Sequence, residues 1–242
     1  MPLALALLLA AGSPPMAKSY VLRLKYRPSQ VMVDHSHEHT VWAALTPIKI
    51  SKVQDDDYDA ITRVIKVLPN GDALMLNKKK GGRKPSPEAS KHVYQVLTAR
   101  NHISSEGSSP SSLRPQKFGD PIPSFPAGPV TVGSSWQGRI NFDQFGGLQQ
   151  TCRVTKIAQK GGSLCAWLAF EGDSSLPESS NDLKPTSLSV RGRAIFDIDR
   201  GRFLQVGILL RGVMKGPQTL RNGSTVHTEL VAQVSESSKL VR

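Results

Sequence analysis

Apolar and polar residues alternate with a period of two through most of the chain, a pattern typical of β-strands with one buried face. In residues 18–27, for example, every second position is Tyr or Leu and the others are polar or basic. No stretch shows the longer period of an amphipathic helix. The pattern predicts strands over 18–27, 31–42, 48–53, 92–99, 137–142, 187–196, 202–214 and 225–234, with the acidic residues 55–57 in a solvated turn.

Residues 63–76 and 153–166 match without a gap, and each predicts two strands joined by a Gly-containing turn. The matched pairs are Arg63 with Arg153, Val64 with Val154, Lys66 with Lys156, Gly71 with Gly161, and Leu74 with Leu164. A two-residue turn is expected at Asn70-Gly71 in the first copy and at Lys160-Gly161 in the second. In the first hairpin this register places Ile65 and Val67 opposite Leu76 and Leu74 on the core side. The chain therefore contains two related β units.

The predicted fold class is all-β, with two related antiparallel units that form curved sheets in a sandwich or an open half-barrel. The units span 18–104 and 125–242, and the Ser- and Pro-rich stretch 105–124 is predicted to link them. The expected core or groove residues are Val67, Leu74, Val154, Leu164 and the tryptophans Trp42, Trp136 and Trp167.

Residues 1–17 resemble a secretory signal peptide, because a short apolar run is followed by small residues and a Pro-Pro break. The run is too short to cross a bilayer as a helix. Export to the periplasm or the extracellular space is the leading hypothesis. Translation from Met16 is the alternative, and it would leave a cytoplasmic protein.

The two cysteines are expected to be free thiols. The predicted register places Cys165 opposite Lys156 and Cys152 opposite Ala169, so that the thiols lie about 13 Å apart along the strand. A disulfide needs Cα atoms within about 7 Å.

Two motifs carry a resemblance to a known family. Residues 125–136 have the form FP-x-x-PV-x-VG-x-x-W, and residues 20–30 have the form Y-x-L-R-L-K-Y-x-P-x-Q. Both resemble an uncharacterised family of exported bacterial β-rich proteins, and the resemblance spans most of the chain. It implies a β fold and export, and it assigns no activity and no functional residues. This chain departs from that pattern at Ser134, where an acidic residue is common, and in its His-rich second strand.

Basic residues outnumber acidic ones, with 31 Lys and Arg against 19 Asp and Glu and a net charge of +12, which favours contact with polyanions. The densest run is predicted to be an exposed loop that binds an envelope polyanion through Lys78, Lys79, Lys80, Arg83 and Lys84. No aromatic residue interrupts this run, so base stacking is not indicated. Nucleic acid is a candidate partner only if the protein starts at Met16.

His35, His37 and His39 occupy alternate positions of one predicted strand, which places three imidazoles on one face about 6.6 Å apart. Imidazole is a good zinc ligand, so these residues form a candidate metal site. A solvated strand face that happens to carry histidine is the simpler interpretation, and we expect no tightly bound structural metal.

The sequence contains no nucleophile elbow, paired carboxylates, phosphate-binding Gly loop or zinc-type cysteine cluster. The function expected from sequence is therefore an exported, non-enzymatic binding or structural protein of the cell envelope, whose groove takes an apolar or amphipathic ligand. Two alternatives stay open: a metal-binding protein that uses the His strand, and an enzyme of a type that its motifs do not identify.

Overall fold

A computed structural model describes residues 18–46, 49–82, 92–115, 122–142, 146–175, 183–219 and 222–241. Twelve strands form one antiparallel sheet that does not close, in the order β6-β5-β4-β3-β2-β1-β12-β11-β10-β9-β8-β7. The strands are β1 Val31–Thr46, β2 Ile50–Val67, β3 Ala73–Gly81, β4 Val93–Leu97, β5 Ile103–Gly107, β6 Arg114–Pro115, β7 Ser135–Phe142, β8 Gly146–Lys160, β9 Ser163–Ser175, β10 Lys184–Asp197, β11 Arg202–Thr219 and β12 Thr225–Leu240.

The all-β prediction is confirmed, and the described part of the chain contains one 3-10 turn, Pro110–Ser112, and no α-helix. Within that part, no helix is long and apolar enough to span a membrane. The predicted acidic turn at 55–57 is wrong, because these residues lie in the middle of β2. Strands β5 and β6 also extend the sheet into the stretch predicted to be a linker.

The sheet consists of two six-strand halves, each of which follows the chain from strand to neighbouring strand. β1 to β6 form one half and β7 to β12 form the other, and the halves meet where β1 pairs with β12. The first and last long strands of the chain therefore join the halves at the centre of the sheet.

The predicted repeat corresponds to a shared local geometry at the start of each hairpin. The backbone of Val64 exchanges two hydrogen bonds with Ser29 and Gln30, at 3.1 and 2.8 Å, and Val154 does the same with Gly133 and Ser134, at 2.8 and 2.9 Å. Ser29 and Gly133 both have positive φ, 62° and 90°. A register shift then follows Val64 in β2 and Val154 in β8.

The second strands of the two hairpins pair with different residues from those that the ungapped match predicts. Val64 faces Met75, whereas Val154 faces Leu168 and not the matched residue Cys165. The reason is turn length, since five residues (68–72) separate β2 from β3 but only Gly161 and Gly162 separate β8 from β9.

The predicted core side of the first hairpin is wrong for Ile65, Leu74 and Leu76, whereas Val67 packs against the buried residues Val64, Ala73 and Met75. Val64 and Met75 are buried, at 0% and 2% exposure, while Ile65 is 42% exposed. The bulge after Val64 shifts the pairing by one residue, so that Lys66 pairs with Leu74 and Val67 with Ala73. A one-residue shift moves every later side chain to the other face of the sheet.

One face of the sheet, which we call the inner face, carries the apolar core. Paired residues on neighbouring strands share a face, which allows the inner face to be followed across the sheet. The main cluster lies on the second half and includes Leu168, Phe170, Val190 and Phe196. A smaller cluster of Val64, Ala73 and Met75 lies on the first half. Tyr26 and Leu97 pack against both clusters.

Residues 18–30 lie across the inner face as an extended strap and make only one isolated bridge, between Tyr20 and Val130. The strand predicted over 18–27 is therefore wrong. Leu24 N–H donates to Ala99 O at 2.8 Å and Lys25 N–H donates to Gly201 O at 2.9 Å. Since Ala99 follows β4 and Gly201 precedes β11, the strap connects turns from the two halves.

The residues expected in the core have several environments. Val154 is fully buried, Trp136 packs against the main cluster, and Trp42 is 53% exposed, which contradicts its predicted place. Val67, Leu74, Leu164 and Trp167 are half-buried.

Both thiols are free, as predicted. Their register differs from the prediction, because Cys165 faces Ala158 and Cys152 faces Phe170. The turn at Gly161-Gly162, in place of Lys160-Gly161, accounts for the two-residue shift at Cys165, and the bulge after Val154 reduces the shift to one residue at Cys152.

Candidate ligand-binding site

A cavity of about 720 Å³ lies on the inner face of the first half of the sheet, which forms its floor. The strap residues Leu24, Lys25 and Tyr26 and the β10–β11 turn residues Gly201 and Arg202 form its opposite wall. The cavity exists because the strap crosses the sheet above strands that carry polar side chains. On the second half, the corresponding space is filled by Phe125, Phe196 and Phe203, whose ring centroids lie 4.8 to 5.8 Å apart.

A chain of hydrogen bonds between side chains runs across the cavity floor from β2 to β5. Thr62 Oγ1 donates to Asn77 Oδ1 at 2.7 Å, and Asn77 Nδ2 donates to Gln95 Oε1 at 2.6 Å. Gln95 Nε2 lies 3.4 Å from Glu106 Oε2. Thr62 lies opposite Asn77 and Gln95 lies opposite Glu106, and the Asn77–Gln95 bond runs diagonally between these two pairs to complete a polar row across the floor. Each bond fixes the orientation of the next side chain.

Carboxyl groups and tyrosines provide the remaining polar lining. Burial raises the pKa of the Asp34 carboxyl above its usual value, and the positive charge of Arg202 opposes that shift. Burial, followed by the nearby Glu236 carboxylate, raises the pKa of Tyr58, whose hydroxyl donates to Glu236 Oε1 at 2.8 Å. Burial, followed by Asp72, also raises the pKa of Tyr26. Both phenols are therefore neutral hydrogen-bonding groups at physiological pH.

Two buried donors of the cavity wall have no hydrogen-bond partner within the described part of the chain. They are the Tyr26 hydroxyl and Arg202 Nε. An unsatisfied buried polar group costs about 1–3 kcal/mol, so such groups are rare in folded proteins. Both residues line the cavity, and a ligand with acceptor atoms would satisfy them.

The floor also has an apolar part, which is formed by Met32, Met75 and Leu97 beside the polar row. Ligand pockets commonly measure 300–1,000 Å³ and combine an apolar wall with a few convergent polar groups. The cavity has this combination. It offers hydrogen-bonding groups and carboxylates at one end of a bound molecule and methionine and leucine side chains along its body.

Comparison with protein-family models and with curated proteins finds no match to this chain. The resemblance suggested by residues 20–30 and 125–136 therefore stays a prediction. The function has to be inferred from the site itself.

The three histidines of the predicted metal site lie on the other face of the sheet, which we call the outer face. Each pairs with an aspartate of β2: His35 with Asp59, His37 with Asp57, and His39 with Asp55. The Nδ1–Oδ1 distances are 3.1, 2.8 and 2.6 Å in that order. Asp55 and Asp57, two of the three acidic residues predicted to solvate a turn, thus belong with Asp59 to a His–Asp ladder.

The ladder is exposed, with histidine side chains 38–58% accessible to solvent. The hydrogen bond between the His37 ring and the Asp57 carboxylate is the main cause that raises the pKa of His37 above its usual value. Within the described residues, no group of three or more His, Cys, Asp or Glu side chains is placed to hold a metal ion. The expectation that no structural metal binds tightly here remains a prediction.

The basic run predicted to be a loop is a strand as far as the structure describes it. Lys78, Lys79 and Lys80 lie in β3, whereas Arg83 and Lys84 lie outside the described residues. Lys79 Nζ is 3.0 Å from Asp56 Oδ2 and 3.5 Å from the centre of the Tyr58 ring. Lys79 thus makes internal contacts, while Lys78 and Lys80 are exposed.

The cavity residues were not predicted from the sequence. A signal was present, because Asp34 and Glu38 occupy the strand face opposite the histidines, and Thr62, Asn77 and Gln95 are polar at inner-face positions. Without the register, these residues resemble an ordinary solvated strand face. The alternating pattern of the strap that covers them is that of an ordinary strand and does not show that it crosses the sheet.

Proposed function

We propose that this protein is a non-enzymatic binding protein of the cell envelope that holds a small amphipathic molecule in the cavity beneath the strap. The cavity itself carries this proposal. It combines a suitable volume, a row of oriented hydrogen-bonding side chains, an apolar wall, and two buried donors without a partner in the described part of the chain.

An amphipathic ligand fits this lining better than a purely apolar one. The Tyr26 hydroxyl and Arg202 Nε of the cavity wall have no partner among the described residues, and a hydrocarbon would leave both of them unsatisfied. The apolar face of the second half is not available as a groove, because residues 122–130 and the strap pack onto it. A ligand with an uncharged or cationic polar group and an apolar body of modest size matches the cavity.

The cell-envelope location in this proposal rests on the signal-like character of residues 1–17. Fractionation of cells that express the full chain, combined with N-terminal sequencing of the accumulated product, tests it. A product that is found outside the cytoplasm and lacks the apolar run supports export. An intact product in the cytoplasm would contradict export and would leave the cavity proposal standing.

Ligand binding can be tested with N-phenyl-1-naphthylamine, a neutral amphipathic dye whose fluorescence rises in apolar sites. We expect saturable binding of one dye molecule per chain. Ala60 lines the cavity floor, and Ala60→Phe should reduce the dye affinity at least about tenfold by filling the cavity. The matched control is Val53→Phe, on the same strand but outside the cavity, where the native side chain is already 54% exposed.

Circular dichroism and thermal unfolding of both variants will show whether they are folded. If Ala60→Phe is folded and binds the dye as well as the parent protein does, the cavity is not the binding site. Absence of saturable binding by the parent protein would also refute the proposal. Native mass spectrometry of protein purified from its own cells then identifies the bound molecule.

A further inference from the structure

The outer face of the second half of the sheet carries four arginines that the basic run in the sequence did not reveal. Arg153 lies on β8, Arg191 and Arg193 on β10, and Arg211 on β11, and all four are exposed. We call this group the arginine surface. None of the four forms an ion pair with a carboxylate in the described part of the chain, so their charge is available to a partner.

Strand register places the arginines in neighbouring rows. One row runs across the sheet through Arg153, Ala169, Arg193, Gly207 and Ser237. The next row runs through Thr151, Glu171, Arg191, Leu209 and Ser235. Because Arg153 and Arg193 are two strands apart in one row, their backbones are separated by about 10 Å. Arg191 and Arg193 are about 6.7 Å apart along β10.

Arg153, Arg191 and Arg193 border a groove of about 700 Å³, and Arg211 lines a neighbouring recess that it shares with Arg191. The lining of the groove includes Ala169 and Gly207, whose small size leaves a recess between the longer side chains. A Cβ atom built on Gly207 would meet no heavy atom within 4 Å, which shows that the space above this strand is open. The groove accepts a narrow chain more readily than a flat membrane surface.

Hydroxyl groups and two carboxylates, Glu171 and Asp173, lie among the arginines. Thr151 and Thr155 line the groove, and Glu171 lies beside Arg191 in its row. The internal units of a DNA chain carry no free sugar hydroxyl that could donate a hydrogen bond to Glu171. A polysaccharide hydroxyl would donate a hydrogen bond to this carboxylate. Trp167, which lines a neighbouring recess, has Lys156 Nζ 5.0 Å from its ring centre, which disfavours stacking of bases on this ring.

We propose that the arginine surface binds a linear acidic polysaccharide, whose carboxylate or sulfate groups contact the guanidinium groups and whose hydroxyl groups contact the threonines and Glu171. The planar fork of arginine matches the geometry of these anions and binds them through two parallel hydrogen bonds. This site lies on the opposite face of the sheet from the cavity and does not depend on the amphipathic ligand. It replaces the run at 78–84 as the main polyanion contact.

Binding can be measured by isothermal titration calorimetry at 0.15 M salt, with polygalacturonate as the carboxylated probe and heparin as the sulfated one. We expect at least one of them to bind, with an affinity that falls as salt rises. Arg191→Gln/Arg193→Gln should weaken that affinity about tenfold or more, because charge-assisted hydrogen bonds are lost. Lys78→Gln/Lys80→Gln removes the same charge from exposed positions of the first half and should change the affinity less than twofold.

A second pair of variants separates local charge from local shape. Gly207→Glu and Gly207→Gln add side chains of nearly equal size to the open groove, and only Gly207→Glu adds a negative charge. Gly207→Glu should weaken binding more than Gly207→Gln does. Thermal unfolding checks that both variants are folded.

Three outcomes would overturn the proposal. One is the absence of binding to either polysaccharide, and another is an equal loss in the arginine and lysine double variants. The third is tighter binding to single-stranded DNA or to phosphatidylglycerol vesicles than to the polysaccharides, because the partner would then belong to another class of anion.

Discussion

Replacing Gly192 with alanine should destabilise the fold, although the change adds only one methyl group between the exposed residues Arg191 and Arg193. Gly192 lies on the inner side of β10, directly opposite Phe170 on β9 and Ile208 on β11. A Cβ atom at this position would lie 2.2 Å from Cζ of Phe170 and 2.6 Å from the carbonyl oxygen of Gly207. The phenyl ring of Phe170 therefore lies across the glycine in the native core.

The expected loss of folding free energy follows from these contacts. Phe170 is only 2% exposed, so its ring cannot move into solvent without losing its place in the main cluster. Ordinary van der Waals contacts are about 3.5–4.0 Å, and the ring has to shift by more than 1 Å or the strands have to separate. Overpacking of this kind typically costs about 1–3 kcal/mol. For a protein of this size that corresponds to a fall in Tm of roughly 2–12 °C.

The assay is thermal and urea unfolding of Gly192→Ala beside Gly207→Ala. Gly207 lies on the neighbouring strand, and its added Cβ would meet no heavy atom within 4 Å. Gly207→Ala should therefore be neutral or slightly stabilising. Adding Phe170→Leu to Gly192→Ala should cost less than the sum of the two single changes, because leucine leaves room for the methyl group. Equal stability of the two alanine variants, or strict additivity with Phe170→Leu, would refute the account.

The remaining predictions concern the His–Asp ladder and the thiols. Asp57→Asn should lower the pKa of His37 towards the ordinary value near 6.5 in an NMR titration. In the parent protein the raised pKa contributes stability that is complete below about pH 6.5 and is lost as the pH rises through the folded value. Zinc should leave Tm unchanged, and a rise of many degrees that disappears when all three ladder histidines are changed to Gln would establish a metal site. A thiol reagent should label two groups per chain in non-reducing denaturant and should react slowly with the native protein, because burial raises the pKa of Cys152 to about 12 and also raises that of Cys165. No labelling in denaturant would show that the thiols are oxidised.

The sequence by itself determined the class of the fold, the positions of most strands and the internal relation between the halves. Alternation with a period of two depends on side chains that point to opposite faces of a strand, and this is a local property. The match of Arg63 and Val64 to Arg153 and Val154 located two hairpins that share a bulge and an entry turn. The predicted hairpin register, although shifted by one or two residues, was also enough to separate the two cysteines and to predict free thiols.

Only the tertiary structure decided which face of each strand is buried and which residues that are distant in sequence come into contact. The bulge after Val64 places both Val64 and Val67 on the inner face, and sequence periodicity cannot reveal one extra residue in a strand. Pairing of β1 with β2 placed the acidic run against the histidines rather than in a turn. Crossing of the strap over the sheet produced the cavity, through contacts such as that of Lys25 with Gly201, which are separated by most of the chain. The arginine surface likewise depends on the register of four strands, because its residues are clustered in space and scattered in sequence.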